Sequence, residues 1–394
     1  MGRGTGHPHN DMKTIPYGRH EITEADIESV VAALRSDFLT QGPRIAEFEA
    51  AFAAYIGVPH AVAVSNGTAA LHLCAMAMNV QPGQKVITTP ITFAATANCI
   101  RYAGGDVVFA DIDPDTYLLD PLRVKAVLDA APRGTYGGII PVDFSGQAVD
   151  METFKSLANA HGCWLIEDAC HAPGGFFTDS SGTVQRCGNG AFAEAAIFSF
   201  HPVKHIAAGE GGMITTARRD IADRLRNLRC HGIQQDPAKR LENHGGWYYE
   251  MQELGYNYRL TDIQAALAIS QLKRADGNLA RRRLLAERYR EAFAGKPFLI
   301  RPPAPLDGHA CHLFVAEFDR RDALYQHLRA HGIFAQVHYI PLHLMPYYRD
   351  LGWCKGDLPN AETYYQHALS LPLFPSLTDL EQNHVIHTTN QFYN

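Results

Sequence analysis

At 394 residues the chain is too long for one small core and predicts a large domain with a smaller companion. Hydrophobic residues make up 46% and charged residues 19%, which excludes a disordered chain. A net charge of -6 without long single-sign runs argues against a nucleic-acid footprint or a membrane-seeking basic face, so any anionic substrate needs local arginines.

Residues 1–14 read as a flexible tail; Gly2, Gly4 and Gly6 follow no strand and so make no nucleotide fingerprint. Thr23 and Asp26 form a capping-box pattern ahead of an amphipathic helix through Leu34. Strand-like and helical segments then alternate: strand Ala61 to Val64, helix Leu71 to Met78, strands Lys85 to Thr88 and Val107 to Ala110. Asp150 caps a helix that stops near Gly162, and strands follow at Cys163 to Ile166 and Ala195 to Phe200. This alternation predicts an α/β domain with a mostly parallel central sheet over residues 15–275. A charged helical stretch from Thr261 to Phe293 is expected to break around Asp276, Gly277 and Asn278, and its stripe of Ala265, Ile269 and Leu272 reads as packing. Residues 276–394 are expected to form a smaller α+β domain, with a helix from Arg321 to His331, a strand from Phe334 to Tyr339, and a last helix capped by Thr378 and Glu381.

Eight cysteines stand singly, in neither zinc nor disulfide spacing, which suits a reducing cytoplasm. Neither a signal core nor an apolar run of about 18 residues is present, so no membrane span is expected. The 20 histidines include no His-Glu-x-x-His pair, so no metal is expected.

Three short segments carry the candidate chemistry. Ser65-Asn66-Gly67-Thr68-Ala69-Ala70 lies between a strand and a helix, where backbone N–H groups and the helix dipole suit a phosphate; the same residues also make an ordinary turn and N-cap. Trp164-Leu165-Ile166-Glu167-Asp168 ends a buried strand in two acids, at the sheet edge where ligands bind, and Asp168 there could pair with a cationic ring nitrogen, cap a helix or bind a metal. Ser199-Phe200-His201-Pro202-Val203-Lys204 places a lysine just beyond another strand, suited to covalent chemistry on a carbonyl if its proton is lost.

In this order the three segments resemble the DegT/StrS-type nucleotide-sugar aminotransferases of the fold type I PLP-dependent transferases. The resemblance extends to Thr89-Pro90-Ile91-Thr92-Phe93, Gly255-Tyr256-Asn257-Tyr258-Arg259 and Val337-His338-Tyr339-Ile340-Pro341, and so covers nearly the whole chain from Ile15. Within the family it is nearest to the transaminases of the pseudaminic acid pathway, which aminate C4 of a UDP-linked 4-keto-6-deoxy-N-acetyl hexose.

The resemblance implies pyridoxal 5'-phosphate as cofactor, with a nucleotide-linked keto sugar and L-glutamate as substrates. It implies catalytic roles for Lys204, Asp168 and His171: Lys204 carries the cofactor and moves a proton, and Asp168 keeps the pyridine nitrogen protonated. His171 and Phe93 would lie against the ring. Gly67, Thr68, Ala69 and Ser199 would hold the phosphate, and Asn257 would reach it from a second subunit, implying a homodimer with shared sites. Tyr17, Asp37, Phe38, Leu39, Thr40, Gly67, Arg259, Tyr339, Ile340, Pro341 and Leu342 match substrate-binding positions. Tyr17 and Tyr339 also fit as ordinary core or rim aromatics.

His171 stands where members that aminate C3 carry glutamine, which favours C4. Related dehydratases replace the lysine with histidine; Lys204 is retained here beside His201 and His205. Asn66-Gly67 differs from the Ser-Ala of some pseudaminic-pathway members and leaves the sugar open, including other UDP-, GDP- or dTDP-linked 4-keto-6-deoxy sugars. A non-catalytic regulator would need a DNA-binding or signalling segment, and none is visible.

Overall fold

The computed structural model describes residues 14–394 except Gln235 and Pro302, so most of the expected tail lies outside the described residues. Seven strands form the central sheet, in the spatial order His60–Val64, Gly212–Thr216, Ala195–Ser199, Trp164–Asp168, Tyr136–Ile140, Lys85–Thr88 and Asp106–Phe109. All run parallel except Gly212–Thr216, which pairs antiparallel with both neighbours.

Alternate residues of each strand serve different cores. Ala61, Ala63, Phe198 and Met213 join one buried cluster with Phe48 and Phe52; Val62, Val64, Ile197 and Ile214 join the other. A strand sealed on both faces needs apolar residues at successive positions, which is why these segments read as short apolar runs. The helices between them have legible ends. Pro43–Ile56 carries proline in its first turn and stops at Gly57 with φ 85°, and Met151–His161 is capped by Asp150 and closed by Gly162 with φ 74°.

Several expected boundaries shift. The helix expected from Leu71 begins at Gly67, because the Asn66 side chain accepts the Ala69 N–H at 2.8 Å. The strand expected to end at Ile166 continues through Glu167 and Asp168, which pair with Ala196 and Ile197. The helical break expected at Asp276–Asn278 falls at Lys273 and Arg274, between Asp262–Leu272 and Ala275–Phe293. Arg274 is drawn aside there to Asp26, 2.7 Å away, while exposed Gly277 is tolerated in the new helix's first turn. Of the strand expected over Phe334–Tyr339, only Ile333–Phe334 is regular, pairing parallel with Ile15–Pro16.

A third cluster centres on the antiparallel strands Leu299–Arg301, Phe314–Phe318 and Ala368–Leu371 with helices Arg321–Ala330 and Asp379–Tyr393. Helix Ala275–Phe293 serves two clusters: Ala275 and Leu279 pack with the large sheet, Leu285, Ala286, Tyr289 and Phe293 with the third core. Ile15 also joins the third core, so the first described residues are tied to the C-terminal half of the chain.

Candidate active site

Because the parallel strands share one direction, the turns after Val64, Thr88, Ile140, Asp168 and Ser199 gather at one edge of the sheet. A cavity of about 430 Å³ opens there, and Gly67, Thr68, Phe93, Asp168, His171, Ser199, Lys204, Tyr17 and Tyr339 all line it. Lys204 reaches it because the chain must turn back from Ala195–Ser199 to the antiparallel Gly212–Thr216. The connecting loop is closed by Lys204 N–H to His201 O at 2.8 Å and Ala208 N–H to Phe200 O at 2.9 Å.

Asp168 is 3% exposed. Its Oδ2 accepts the Thr96 hydroxyl at 2.7 Å and its Oδ1 the Cys170 N–H at 3.2 Å. Burial pushes its carboxyl upward, opposed by the hydrogen bonds from Thr96 and Cys170 and by the charge of Lys204. Burial also lowers the Lys204 amine, against the pull of Cys170 and Asp168. A lysine shifted this way holds more of its free amine near neutrality, the form that attacks a carbonyl.

His171 is buried, its Nε2 3.4 Å from the Tyr339 hydroxyl and its Nδ1 without a partner. Burial drives this imidazole well below its ordinary value, with further lowering by Lys204, His338 and His205. The ring is held from behind by His312, 4.4 Å away between centroids.

Gly67 lies so close to Ser199 that a Cβ placed on it would sit 3.0 Å from the serine Cβ and 3.3 Å from its hydroxyl. The free N–H groups of the first helical turn and the Ser199 hydroxyl therefore face one narrow space. Ala69 is buried behind it, its N–H taken by Asn66.

Other expected positions lie elsewhere in the single chain. Asp37, Phe38, Leu39 and Thr40 are exposed, since Leu39 and Thr40 pair with the Thr261–Asp262 backbone and hold the segment away from the cavity. Asn257 is exposed and does not line the cavity, although its neighbour Tyr258 accepts the Ser65 N–H at 2.8 Å. Arg259 joins Arg219, Arg226, Arg229 and Lys239 around a separate concavity of about 420 Å³. Ile340 faces a third concavity, and Leu342 is buried just after Pro341, donating to Pro90 O.

Sequence reasoning missed Thr96, Cys170 and His338, which also line the cavity. The Thr92-x-x-x-Thr96 spacing is a usable signal, because the two hydroxyls meet at 2.8 Å before Thr96 reaches Asp168. No arginine lines the cavity among the described residues, contrary to the expectation of local arginines for an anionic substrate.

The profile of the DegT/DnrJ/EryC1/StrS aminotransferase family matches residues 20–390. The chain belongs to this family. The spore coat polysaccharide biosynthesis protein SpsC of Bacillus subtilis is 40% identical over 381 residues, covering 94% of this chain and 95% of that protein. Among solved structures, Helicobacter pylori PseC, an aminotransferase of pseudaminic acid biosynthesis, superposes with a TM-score of 0.85 at 29% identity, covering 96% of this chain and 99% of PseC. Spr1654 of Streptococcus pneumoniae in its PLP form gives 0.86 at 28% identity, covering 96% and 98%.

This aminotransferase therefore acts on a sugar and uses pyridoxal 5'-phosphate, within the α/β fold of the PLP-dependent transferases. Its residues fit that group: a buried carboxylate for the ring nitrogen, a lysine of lowered pKa for the aldehyde, a buried imidazole with its Nδ1 unpartnered for a ring face and a glycine-serine cradle for the phosphate.

Proposed function

We propose that this sugar aminotransferase transfers nitrogen from L-glutamate to C4 of a UDP-linked 4-keto-6-deoxy-N-acetyl hexose, in the pseudaminic acid pathway. The observation that carries the reading is the cavity in which Lys204, Asp168 and His171 converge on one ring-sized space beside the Gly67–Ser199 cradle. The cofactor supplies an electron sink for the carbon that loses or gains a proton. Lys204 would hold the cofactor and then move that proton, its amine lowered by burial against the pull of Cys170 and Asp168. Asp168 holds the proton on the pyridine nitrogen, steadied by Thr96 and Cys170. His171 would lie along the ring, with Tyr17, His338 and Tyr339 in the same cavity available to the sugar. Nitrogen passes first from glutamate to the enzyme, leaving the keto acid, and then to the sugar, so kinetics are ping-pong.

The working unit in this reading is a homodimer with shared sites. Leu241, Trp247, Tyr249, Met251 and Leu254 are all more than half exposed, a patch of a kind that marks an interface. Exposed Asn257, and Arg259 with its cationic neighbours, are then available to a second subunit's cavity, which lacks an arginine of its own among the described residues. Among the described residues no helix is long and apolar enough to cross a membrane, and we place the enzyme in the cytoplasm.

A second reading is a different nucleotide-linked 4-keto-6-deoxy sugar, since SpsC, at 40% identity, is named for spore coat polysaccharide biosynthesis and not for the pseudaminic acid pathway. Both are tested by loading the protein with pyridoxamine phosphate and adding such sugars singly. Return of visible absorbance and an aminated product only with the UDP-linked N-acetyl sugar supports the first; return with another sugar supports the second. A Lys204→Ala protein that still transfers nitrogen at the wild-type rate overturns both.

A further inference from the structure

On the side of its strand opposite Asp168, Glu167 meets Asp143 and Cys187, and their terminal ligand atoms lie within 4.8 Å of one another. All three are buried, with Asp143 fully inaccessible. Two carboxylates there are costly unless neutralised, and none of the largest influences on either acid comes from a lysine, arginine or histidine. Both Glu167 oxygens face the Gly188 N–H, at 3.0 and 3.1 Å, and Asp143 Oδ1 accepts the Val149 N–H at 2.9 Å. Asp143 Oδ2 is left without a partner. A proton between the two acids satisfies that oxygen and removes one of the two buried charges.

We infer that Asp143 and Glu167 share one proton and that this acid pair is the positioning element that fixes Asp168 against the cofactor nitrogen. The inference rests on the role given to Asp168 above. Three connections tie the pair to that carboxylate. Glu167 is its chain neighbour, the Asp143 N–H donates to Asp168 O at 3.0 Å, and the Asp168 N–H donates to Pro141 O at 3.0 Å. Through Val149 the pair also closes the turn at Phe144–Gly146, where a Cβ on Gly146 would lie 2.9 Å from His171 O and 3.0 Å from His312 N. The main chain carrying the pair is thus bonded to that of Asp168, and the Asp143 carboxylate itself pins the turn packed against the backbone of His171 and His312.

Electrostatics agree with the geometry. The titratable groups facing the pair include Cys187, Cys170 and Asp168, the last itself facing Lys204. Burial pushes both Asp143 and Glu167 above the ordinary carboxylate range, which favours a proton kept within the pair at neutral pH. Were it lost, a second negative charge beneath Asp168 would favour protonating Asp168, the form that cannot hold a pyridinium.

Glu167→Gln places an amide N–H where the shared proton lies and keeps an oxygen for Gly188. The infrared spectrum of the wild-type protein is expected to show the carbonyl stretch of a buried carboxylic acid at neutral pH, absent in E167Q. This arm needs no substrate, so its failure is distinct from failure of the sugar-aminotransferase reading. In holoenzyme titrations, E167Q is expected to keep cofactor affinity within a few-fold, whereas Glu167→Ala and Asp143→Ala each lose about tenfold or more. As pH rises above neutrality, wild-type affinity should fall as the pair loses its proton, and E167Q should lack that phase. No acid band, an E167Q as impaired as E167A, or a stoichiometric divalent metal in the purified protein bound by Asp143, Glu167 and Cys187 each overturns the inference. The infrared comparison of wild type with E167Q still decides if the alanine variants fail to fold.

Discussion

Replacing Thr96 by valine tests the link between the sheet edge and cofactor binding. The substitution keeps a β-branched side chain in a buried site but removes the hydroxyl that donates to Asp168 at 2.7 Å. A hydrogen bond to a charged group contributes about 1.5–3 kcal/mol, and here the loss falls on the carboxylate form of Asp168. Its pKa, already raised by burial, therefore rises further. Only the carboxylate holds the protonated ring nitrogen, so cofactor affinity should fall by about 10- to 100-fold at neutral pH. The acid limb of the affinity profile should move to higher pH. Thr92→Val is the control: its hydroxyl reaches Asp168 only through Thr96, at 2.8 Å, so its loss should be several-fold smaller. Titration of apoprotein with pyridoxal phosphate, followed by visible absorbance across pH, measures both. An unchanged affinity and acid limb in T96V, with the fold intact by circular dichroism, would falsify this account of how Asp168 is tuned.

Gly212→Ala puts a Cβ 2.5 Å from the Asn66 carbonyl oxygen and 2.9 Å from the Gly67 nitrogen, so the phosphate turn must move. Destabilisation of about 1–3 kcal/mol in urea, together with weaker phosphate binding, is expected; full affinity would show that the turn is not rigidly placed. His309 accepts the Cys311 N–H on Nδ1 at 2.8 Å, and burial, then Arg283 and Arg290, push its pKa down to about 3. Below its unfolded value near 6.5 the unfolded chain takes up a proton that the folded chain refuses, so stability falls with pH at about 1.4 kcal/mol per unit from this residue alone. Denaturant midpoints between pH 6.5 and 4 should fall less steeply in His309→Gln, and an identical slope would rule out His309 as a contributor.

Much of the cavity was legible because its residues sit where apolar runs stop. Asn66-Gly67 follows, and Asp168 and Ser199 end, strands buried on both faces, and parallel strands put their ends on one edge. Cys170 was not legible, and Thr96 only through its spacing from Thr92, since a helical threonine and a backbone N–H become significant only when Asp168 is placed against them. The break at Lys273–Arg274 was misplaced because Gly277 is the stronger local signal, while the ion pair of Arg274 with Asp26 is a distant contact.

By itself, then, the sequence determined the alternation of strands and helices, the capped ends and the three chemistry-bearing turns, all of which depend on residues within a few positions of one another. Only the tertiary structure decided which of the matched residues share a cavity within one chain. It separated Asp37–Thr40, Asn257 and Arg259 from Lys204, and it set Asp143 against Glu167 beneath Asp168. Those outcomes depend on strand order and on contacts between distant segments, which local periodicity does not encode.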